Sequence, residues 1–277
     1  MLRSLHFGAT LASMCLMTSC VIGSGETVTA PVEWDLVWSD EFNGSAGTSP
    51  NPATWVFDQG GAGWGNQQLE YNTNRPENAA LDGDGHLAIV ARKEKYLDND
   101  YTSARLKTAG KQEFRYGRVE ARIKLPRGQG IWPAFWMLGA NFADVGWPKC
   151  GEIDIMEYRG QKTHEVQGSL HGPKYSGGDC ITKAYQLKGD QGFDDDFHVF
   201  SIDWDPGRIS WAIDGATYQV VNSPTVVSKG PWVFHQPFFI ILNVAVGGTY
   251  LGDPDESTQF PQTMLVDYVR VFKRRSP

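Results

Sequence analysis

The chain has 277 residues, of which 41% are hydrophobic and 21% are charged, a composition typical of one large globular domain or two small ones. Its formal net charge is −7 and it has no long basic run, which argues against nucleic acid and against an anionic membrane surface as the main partner. A neutral polymer remains compatible, and the 31 Gly and 15 Pro residues fit a loop-rich all-β protein.

The N-terminal segment, residues 1–20, has the pattern of a signal peptide. Arg3 is its only Asp, Glu, Lys or Arg, and the apolar stretch Phe7–Met17 is too short to span a bilayer comfortably. Small residues directly before Cys20 are similar to a bacterial lipobox and predict lipidation there; the alternative is ordinary cleavage near Ser24. We expect an exported protein, either a cell-surface or outer-membrane lipoprotein or a secreted one, that meets a membrane only through Cys20.

Residues 21–31 are small and polar and are predicted to form a linker, followed by a single domain at residues 32–275. Within that domain, Tyr116–Leu125 alternates between charged and apolar residues, which predicts a strand with one buried face. No stretch of the domain has the pattern of a long amphipathic helix.

The segment Glu152–Glu157 places three acids among apolar residues. Regular strand alternation puts Glu152 and Asp154 on one face and Glu157 on the other. Because a charged Glu157 behind the sheet would be costly, we predict a one-residue bulge near Met156 that returns Glu157 to the acidic face.

Two carboxyl groups placed in this way suit glycoside cleavage. The Cα atoms of Glu152 and Glu157 would lie about 13 Å apart, and inclined side chains could bring the carboxyls to roughly 5–6 Å. That separation is typical of a retaining glycosidase, in which one carboxylate attacks and the other carboxyl protonates the leaving oxygen. Asp154 would hydrogen-bond the nucleophile and hinder ionisation of the whole row. The alternatives are a solvated acidic face or a calcium site, and three acids within six residues favour catalysis.

Two cysteines, Cys150 and Cys180, lie in the domain. An even pair in an oxidising compartment is compatible with a disulfide, and the alternative is two buried free thiols. Trp147, just before the acidic segment, is a candidate sugar platform or a packed loop residue.

The C-terminal part continues as strands. Trp204 and Trp211 alternate with other apolar residues, which predicts that both belong to the core. Asp214-Gly215 predicts a hairpin turn. The predicted strands here are His198–Trp204, Ile209–Ile213, Thr217–Val221, Phe238–Val246 and Met264–Lys273. Many antiparallel strands over about 240 residues indicate an all-β sandwich or jelly roll.

The acidic segment resembles the signature of glycoside hydrolase family 16, in the bulged form of its laminarinase-like branch; the unbulged form, one residue shorter, is typical of bacterial lichenases. The resemblance covers nearly the whole domain. Further segments that resemble the family, in the same order, are Trp38–Gly44, Trp64–Asn66, Glu70–Asn72, Tyr101–Arg105, Gly130–Leu138 and Val266–Val271.

The resemblance implies a β-jelly roll sandwich of two antiparallel sheets with a substrate cleft across the concave face. It implies a retaining path with Glu152 as nucleophile, Glu157 as general acid/base and Asp154 as the assisting acid, without a cofactor for catalysis. The sugar contacts that it suggests are Asn66, Arg105, Trp132, Trp136 and His171; His171 could equally be a structural, hydrogen-bonded histidine. We expect a monomer.

Members of the family often carry a structural calcium on the convex side. The matching positions are Glu41 and Gly85, mainly through backbone oxygens, and Asp267 through its carboxylate. Asp267 lies among apolar strand residues and needs either a partner charge or an ion. The alternative is a hydrogen-bonded Asp267 without metal.

The preferred function is endo-acting hydrolysis of β-1,3-glucan such as laminarin. A competing hypothesis keeps the enzyme and changes the polymer to mixed-linkage β-glucan or to a galactan such as agar or carrageenan. Sulphated polymers favour basic residues in the cleft, and no basic cluster lies near the acidic segment. A third hypothesis is a non-catalytic carbohydrate-binding jelly roll, in which the glutamates would be lost. Transglycosylation is compatible with the sequence as a side activity.

Overall fold

A computed structural model describes residues 32–275. The predicted signal peptide, the lipidation candidate Cys20 and the linker at residues 21–31 lie outside this range. Within it the chain forms seventeen strands, two short α-helices and one 3-10 turn at Gly177–Asp179. The strands are β1 (Trp34–Asp40), β2 (Val56–Asp58), β3 (Glu70–Asn72), β4 (Ala79–Leu81), β5 (Leu87–Tyr96), β6 (Asn99–Ser103), β7 (Arg105–Lys107), β8 (Gly117–Lys124), β9 (Ile131–Gly139), β10 (Glu152–Tyr158), β11 (Glu165–His171), β12 (Ile181–Gln186), β13 (His198–Asp205), β14 (Arg208–Ile213), β15 (Ala216–Asn222), β16 (Phe238–Val246) and β17 (Gln262–Arg274).

The strands form two sheets. The ten-stranded sheet has the order β15-β14-β13-β8-β17-β5-β6-β3, with β1 paired to β17 and β4 to β5. The seven-stranded sheet has the order β12-β11-β10-β9-β16-β7-β2 and carries the acidic segment in β10. All pairs are antiparallel except β3 with β6. The predicted all-β jelly-roll sandwich of two antiparallel sheets is confirmed.

The core lies between the sheets and follows from strand alternation. Strand β8 turns Val119, Ala121 and Ile123 inward, all fully buried, as its alternating pattern predicts. The run Phe238–Val246, which is apolar except for Asn243, forms β16 with the predicted bounds, and every residue of it is buried because the strand is covered on both faces.

Helix is scarce in the described part of the chain. The two helices are α1 (Phe142–Val145) and α2 (Ser223–Val227), which agrees with the absence of any long amphipathic pattern. No helix among residues 32–275 has the length and apolarity to span a membrane.

Candidate active site

The three acids of β10 share one face of the seven-stranded sheet. Glu152, Asp154 and Glu157 pair with alternate residues of β9, which are Leu138, Trp136 and Ala134 in that order. The pairing register of β10 with β9 shifts between Asp154 and Met156. Ile155 is the extra residue and has no counterpart on β9. The predicted bulge is therefore confirmed, and it turns Glu157 to the side of the other two acids.

The bulge also accounts for the apolar residues of β10. Ile153, Ile155 and Met156 are at most 2% exposed and pack in the core between the sheets. Without the extra residue, strand alternation would bury Glu157 there and turn Met156 to the cleft, at a large cost in desolvation. Hydrophobic burial and charge exposure thus both favour the kinked strand.

Two donors reach Glu152. The indole N–H of Trp147 donates to Glu152 Oε2 over 3.0 Å, and His171 Nε2 lies 3.6 Å from Oε1. Burial, and next the charge of Asp154, raise the pKa of Glu152 to about 8. The His171 and Trp147 contacts act in the opposite direction and favour the ionised form.

Asp154 is the most buried of the three acids, at 3% exposure. Burial and the neighbouring Glu157 raise its pKa well above the usual range, so Asp154 is the member of the row best suited to keep a proton. His171 Nε2 lies 3.1 Å from Asp154 Oδ2.

The tautomer of His171 follows from its other ring nitrogen. The backbone N–H of Gly177 donates to Nδ1 over 3.1 Å, which leaves Nε2 as the protonated nitrogen facing the carboxylates. Glu152, Asp154 and His171 also have a spacing that could hold a metal ion. A metal on Nε2 would require Nδ1 to carry the proton and would lose the Gly177 bond. We therefore interpret His171 as a hydrogen-bonded histidine that lies beside the acids and not as a metal ligand.

Glu157 is held by the neighbouring strand β11. Gln167 Nε2 and Ser169 Oγ each donate to Glu157 Oε2 over 3.3 Å. Burial raises the pKa of Glu157, which favours the protonated form that a general acid needs. Gln167 and Ser169 were not predicted from the sequence; their alternation with His171 along one strand is the signal that would have indicated them.

A polar row continues across the sheet from the acids. Trp136 Nε1 donates to Asn243 Oδ1 over 2.8 Å, and the guanidinium of Arg105 lies 4.7 Å from the Trp136 ring. Arg105 Nε donates to Asp58 Oδ2 over 3.1 Å and stacks on Trp64 at 5.0 Å. Two predicted sugar-binding residues, Arg105 and Trp136, are therefore in contact in the structure. Their neighbours Asn243, Asp58 and Trp64 were not predicted as site residues.

The remaining predicted sugar contacts lie at different ends of the acidic row. Trp132 stacks on Tyr250 with ring centroids 4.6 Å apart, and its buried Nε1 has no partner among the described residues. Asn66 lies in a loop, and its own backbone carbonyl accepts the N–H of Thr249 over 2.9 Å. Trp147 is 47% exposed at the edge of the site, with an open ring face.

Of the two alternatives for Cys150 and Cys180, the structure has free thiols and not the disulfide. Cys150 packs with Leu138, Phe239 and Ile241, whereas Cys180 precedes β12. Strand β11 lies between β10 and β12, so the two cysteines are separated by two strand spacings, roughly 9–10 Å. A disulfide needs Cα atoms within about 7 Å.

The residues proposed for calcium are engaged otherwise. Asp267 Oδ2 accepts from Arg122 Nη1 over 2.6 Å, and the Glu41 carboxylate accepts from Arg270 over 2.9 and 2.8 Å. Arg122 is the partner charge that Asp267 needs in apolar surroundings. Arg122 contacts Oδ2 of Asp267, and Glu41 and Gly85 would bind an ion mainly through backbone oxygens, so these ion pairs do not test the calcium site, which stays a prediction.

The chain is similar to known carbohydrate-active proteins. A profile of the glycosyl hydrolases family 16 matches residues 63–270. A β-glucanase of Rhodothermus marinus is 42% identical over 93% of this chain and 91% of its own. The endo-β-1,3-glucanase of Pyrococcus furiosus is 50% identical, with a TM-score of 0.85 over 89% of this chain and 97% of its own. The laminarinase catalytic domain of Thermotoga maritima MSB8 is 51% identical, with a TM-score of 0.84 over 88% of this chain and 100% of its own.

Proposed function

The chain belongs to the glycosyl hydrolases of family 16, and on that basis we propose that it cleaves internal β-1,3 bonds of glucan with retention of configuration. The observation that carries this proposal is the alignment of Glu152, Asp154 and Glu157 on one face of β10 by the bulge at Ile155. Two carboxyls on one wall of a cleft can act on the same glycosidic bond.

In the first step, the Glu152 carboxylate attacks the anomeric carbon and the bond to the leaving sugar breaks. Glu157 gives its proton to the leaving oxygen, and a covalent glycosyl-enzyme forms. In the second step, Glu157 takes a proton from water, the water oxygen attacks the same carbon, and Glu152 is released. Two inversions give net retention.

The neighbours of each acid support these roles. The Trp147 N–H donates to Glu152 and stabilises its carboxylate, and a protonated Asp154 lacks the charge that helps to raise the pKa of Glu152. Asp154, which retains a proton most readily, can donate it to Glu152 as a hydrogen bond and limit the charge of the row. No cofactor is needed for this chemistry.

Sugar rings would be bound by aromatic faces and forked donors. Trp136 presents its ring beside the Arg105 guanidinium, and Trp132 lies against Tyr250 further along the cleft. An indole ring packs against the axial C–H face of glucose, while a guanidinium donates to neighbouring hydroxyls. Trp147 adds an exposed ring beside the nucleophile. The side chain of Asn66 would donate to a sugar hydroxyl from its loop, which is bonded to the backbone of Thr249.

A substrate panel tests the polymer. Reducing-sugar release from laminarin, lichenan, agarose and carrageenan should be fastest on laminarin; faster release from lichenan or a galactan would replace the β-1,3 preference.

The Glu152→Gln variant should fold and bind laminarin but release no sugar. A binding module without catalysis would leave laminarin uncut by the wild type as well.

We also propose that the protein is exported and anchored by a lipid on Cys20. Support comes from the sequence pattern alone, a leader whose one charged residue is Arg3, with small residues before the cysteine. Incorporation of labelled palmitate in the producing bacterium, lost in Cys20→Ser, tests the anchor. A free α-amine on the mature chain would contradict it.

The structural calcium remains a family-based expectation. An unchanged melting temperature on EDTA treatment would end this expectation and leave Arg122 as the partner charge of Asp267. A fall on EDTA treatment that added Ca²⁺ reverses would instead support an ion at Glu41, Gly85 and Asp267.

A further inference from the structure

Trp211 makes a polar contact from the ten-stranded sheet to the acidic strand of the opposite sheet. Its side chain is 0% exposed, and its indole N–H donates to the backbone carbonyl oxygen of Asp154 over 2.8 Å. Trp211 belongs to β14 and Asp154 to β10, so the bond crosses the core between the sheets. It is therefore separate from the hydrogen-bond ladder of either sheet.

Asp154 is the residue at which the pairing of β10 loses its regular register. Pairing resumes at Met156 on the β9 side and at Glu157 on the β11 side. A bulge leaves its extra residue unpaired and disrupts the ladder locally. A buried carbonyl needs a donor at such a point, and Trp211 is the donor for Asp154.

Gly168 provides the space for this indole. It lies in β11 between Gln167 and Ser169, the two residues that contact Glu157. A Cβ on Gly168 would lie 2.4 Å from Trp211 Cδ1 and 2.6 Å from its Nε1. The indole therefore packs against the backbone of β11 while it is bonded to the backbone of β10.

We infer that Trp211 is a positioning residue for hydrolysis. By bonding the Asp154 carbonyl it fixes the bulge, and with it the relative placement of Glu152 and Glu157 on the cleft side. Trp211 lies on the core side of β10 and does not touch substrate. The inference rests on the proposed function. Since a displacement of about 1 Å at a reacting group can cost about 100-fold in rate, loss of this bond acts on kcat and not on KM.

The test compares two buried tryptophans. Trp211→Phe removes the N–H and keeps most of the ring. Trp204→Phe is the matched control, because Trp204 is also 0% exposed and donates to a backbone carbonyl, that of Phe234, over 3.1 Å. On laminarin, kcat should fall about 10- to 100-fold in Trp211→Phe with KM within about twofold. Trp204→Phe should keep kcat within about twofold at a similar loss of melting temperature.

The pH dependence of kcat/KM is the second readout. The profile reports the ionisation of the free enzyme's acids. Its acidic and basic limbs should therefore shift along the pH axis in Trp211→Phe and stay at the wild-type pH in Trp204→Phe. Equal losses of kcat in the two variants, or wild-type kcat in Trp211→Phe, would overturn the inference. A wild type that leaves laminarin uncut would instead reject the proposed function.

Two further measurements apply if Trp211→Phe does not fold. Gly168→Ala displaces the indole without deleting its N–H, and should lower kcat with KM retained; a folded Gly168→Ala with wild-type kcat overturns the inference. In ¹⁵N NMR of Glu152→Gln, saturation with laminari-oligosaccharide should shift the indole N–H signal of Trp211 more than that of Trp204. An unchanged Trp211 signal also overturns it.

Discussion

Trp147 combines two functions at one side chain. Its N–H donates to the proposed nucleophile Glu152, while nearly half of its surface is exposed to the cleft. Because a hydrogen bond to the ionised form lowers the pKa of a carboxyl group, the N–H helps to keep Glu152 ionised. The ring and the N–H therefore have separable effects on binding and on catalysis.

Trp147→Phe should lower kcat about tenfold and leave KM within about twofold, since a hydrogen bond to a charged group contributes about 1.5–3 kcal/mol. Without the N–H the pKa of Glu152 rises, so the acidic limb of the kcat/KM profile should move to higher pH. Trp147→Ala also loses the ring and should raise KM. A pH series on laminarin checks this; a Phe variant identical to the wild type would contradict it.

Glu70 is a buried acid outside the proposed chemistry. Its carboxylate accepts the backbone N–H of Val246 over 2.8 Å and the Asn72 side-chain amide over 3.1 Å. Burial is the largest effect and raises the pKa of Glu70 to about 7. The folded state therefore prefers the protonated form, and the associated stability is lost as pH rises from about 4.5 through 7.

Glu70→Gln mimics the protonated carboxyl and does not titrate. The free energy of unfolding of the wild type, relative to Glu70→Gln, should fall by about 3 kcal/mol between pH 4 and pH 8. Urea unfolding at four pH values measures this difference, in which contributions from other groups cancel. A difference that does not change with pH would show that Glu70 is not buried as described.

At the scale of the element, β10 shows what the sequence could predict. The strand period and the cost of burying Glu157 were enough to predict the bulge, and the largely apolar run Phe238–Val246 predicted a covered strand. Cross-strand neighbours such as Gln167 and Asn243 depend on register and strand order, which involve residues distant in sequence. The sequence left the choice between a disulfide and free thiols open for the same reason, because the order of strands in the sheet sets the distance between the cysteines.

The junction between β9 and β10 is tight at Gly139. A Cβ there would lie 2.0 Å from the backbone oxygen of Cys150, just before Glu152. Gly139→Ala should lower the free energy of unfolding by about 2–3 kcal/mol and reduce kcat at least about tenfold, because it moves the start of β10. Gly178→Ala is the control, since a Cβ there meets nothing within 4 Å. Equal stability and activity in the two variants would contradict this packing.

At the scale of the whole molecule, the seven-stranded sheet brings the acids, the aromatic rings and the Arg105 guanidinium together on one face. Asp58 pairs with both Arg105 and Lys107 and offsets part of the positive charge next to the site. With a formal net charge of −7, the protein has no electrostatic attraction for an anionic polymer. Recognition of substrate therefore rests on stacking and hydrogen bonds.

Binding of a neutral glucan should be nearly independent of salt. Between 0.05 and 0.5 M NaCl, KM for laminarin should change less than about twofold, because no charge on the substrate is screened. Steady-state kinetics at fixed pH measures this. A steep loss of affinity with salt would indicate an anionic polymer as the true substrate.

Azide rescue tests the assignment of Glu152 and Glu157 most directly. The substrate is a β-laminaribioside with a dinitrophenyl leaving group, which departs without an acid. In Glu152→Ala, azide takes the place of the missing carboxylate and should give the α-glycosyl azide by one inversion. In Glu157→Ala, the glycosyl-enzyme still forms, and azide should give the β-glycosyl azide. The opposite anomers, or the same anomer from both variants, would contradict Glu152 as nucleophile and Glu157 as acid/base.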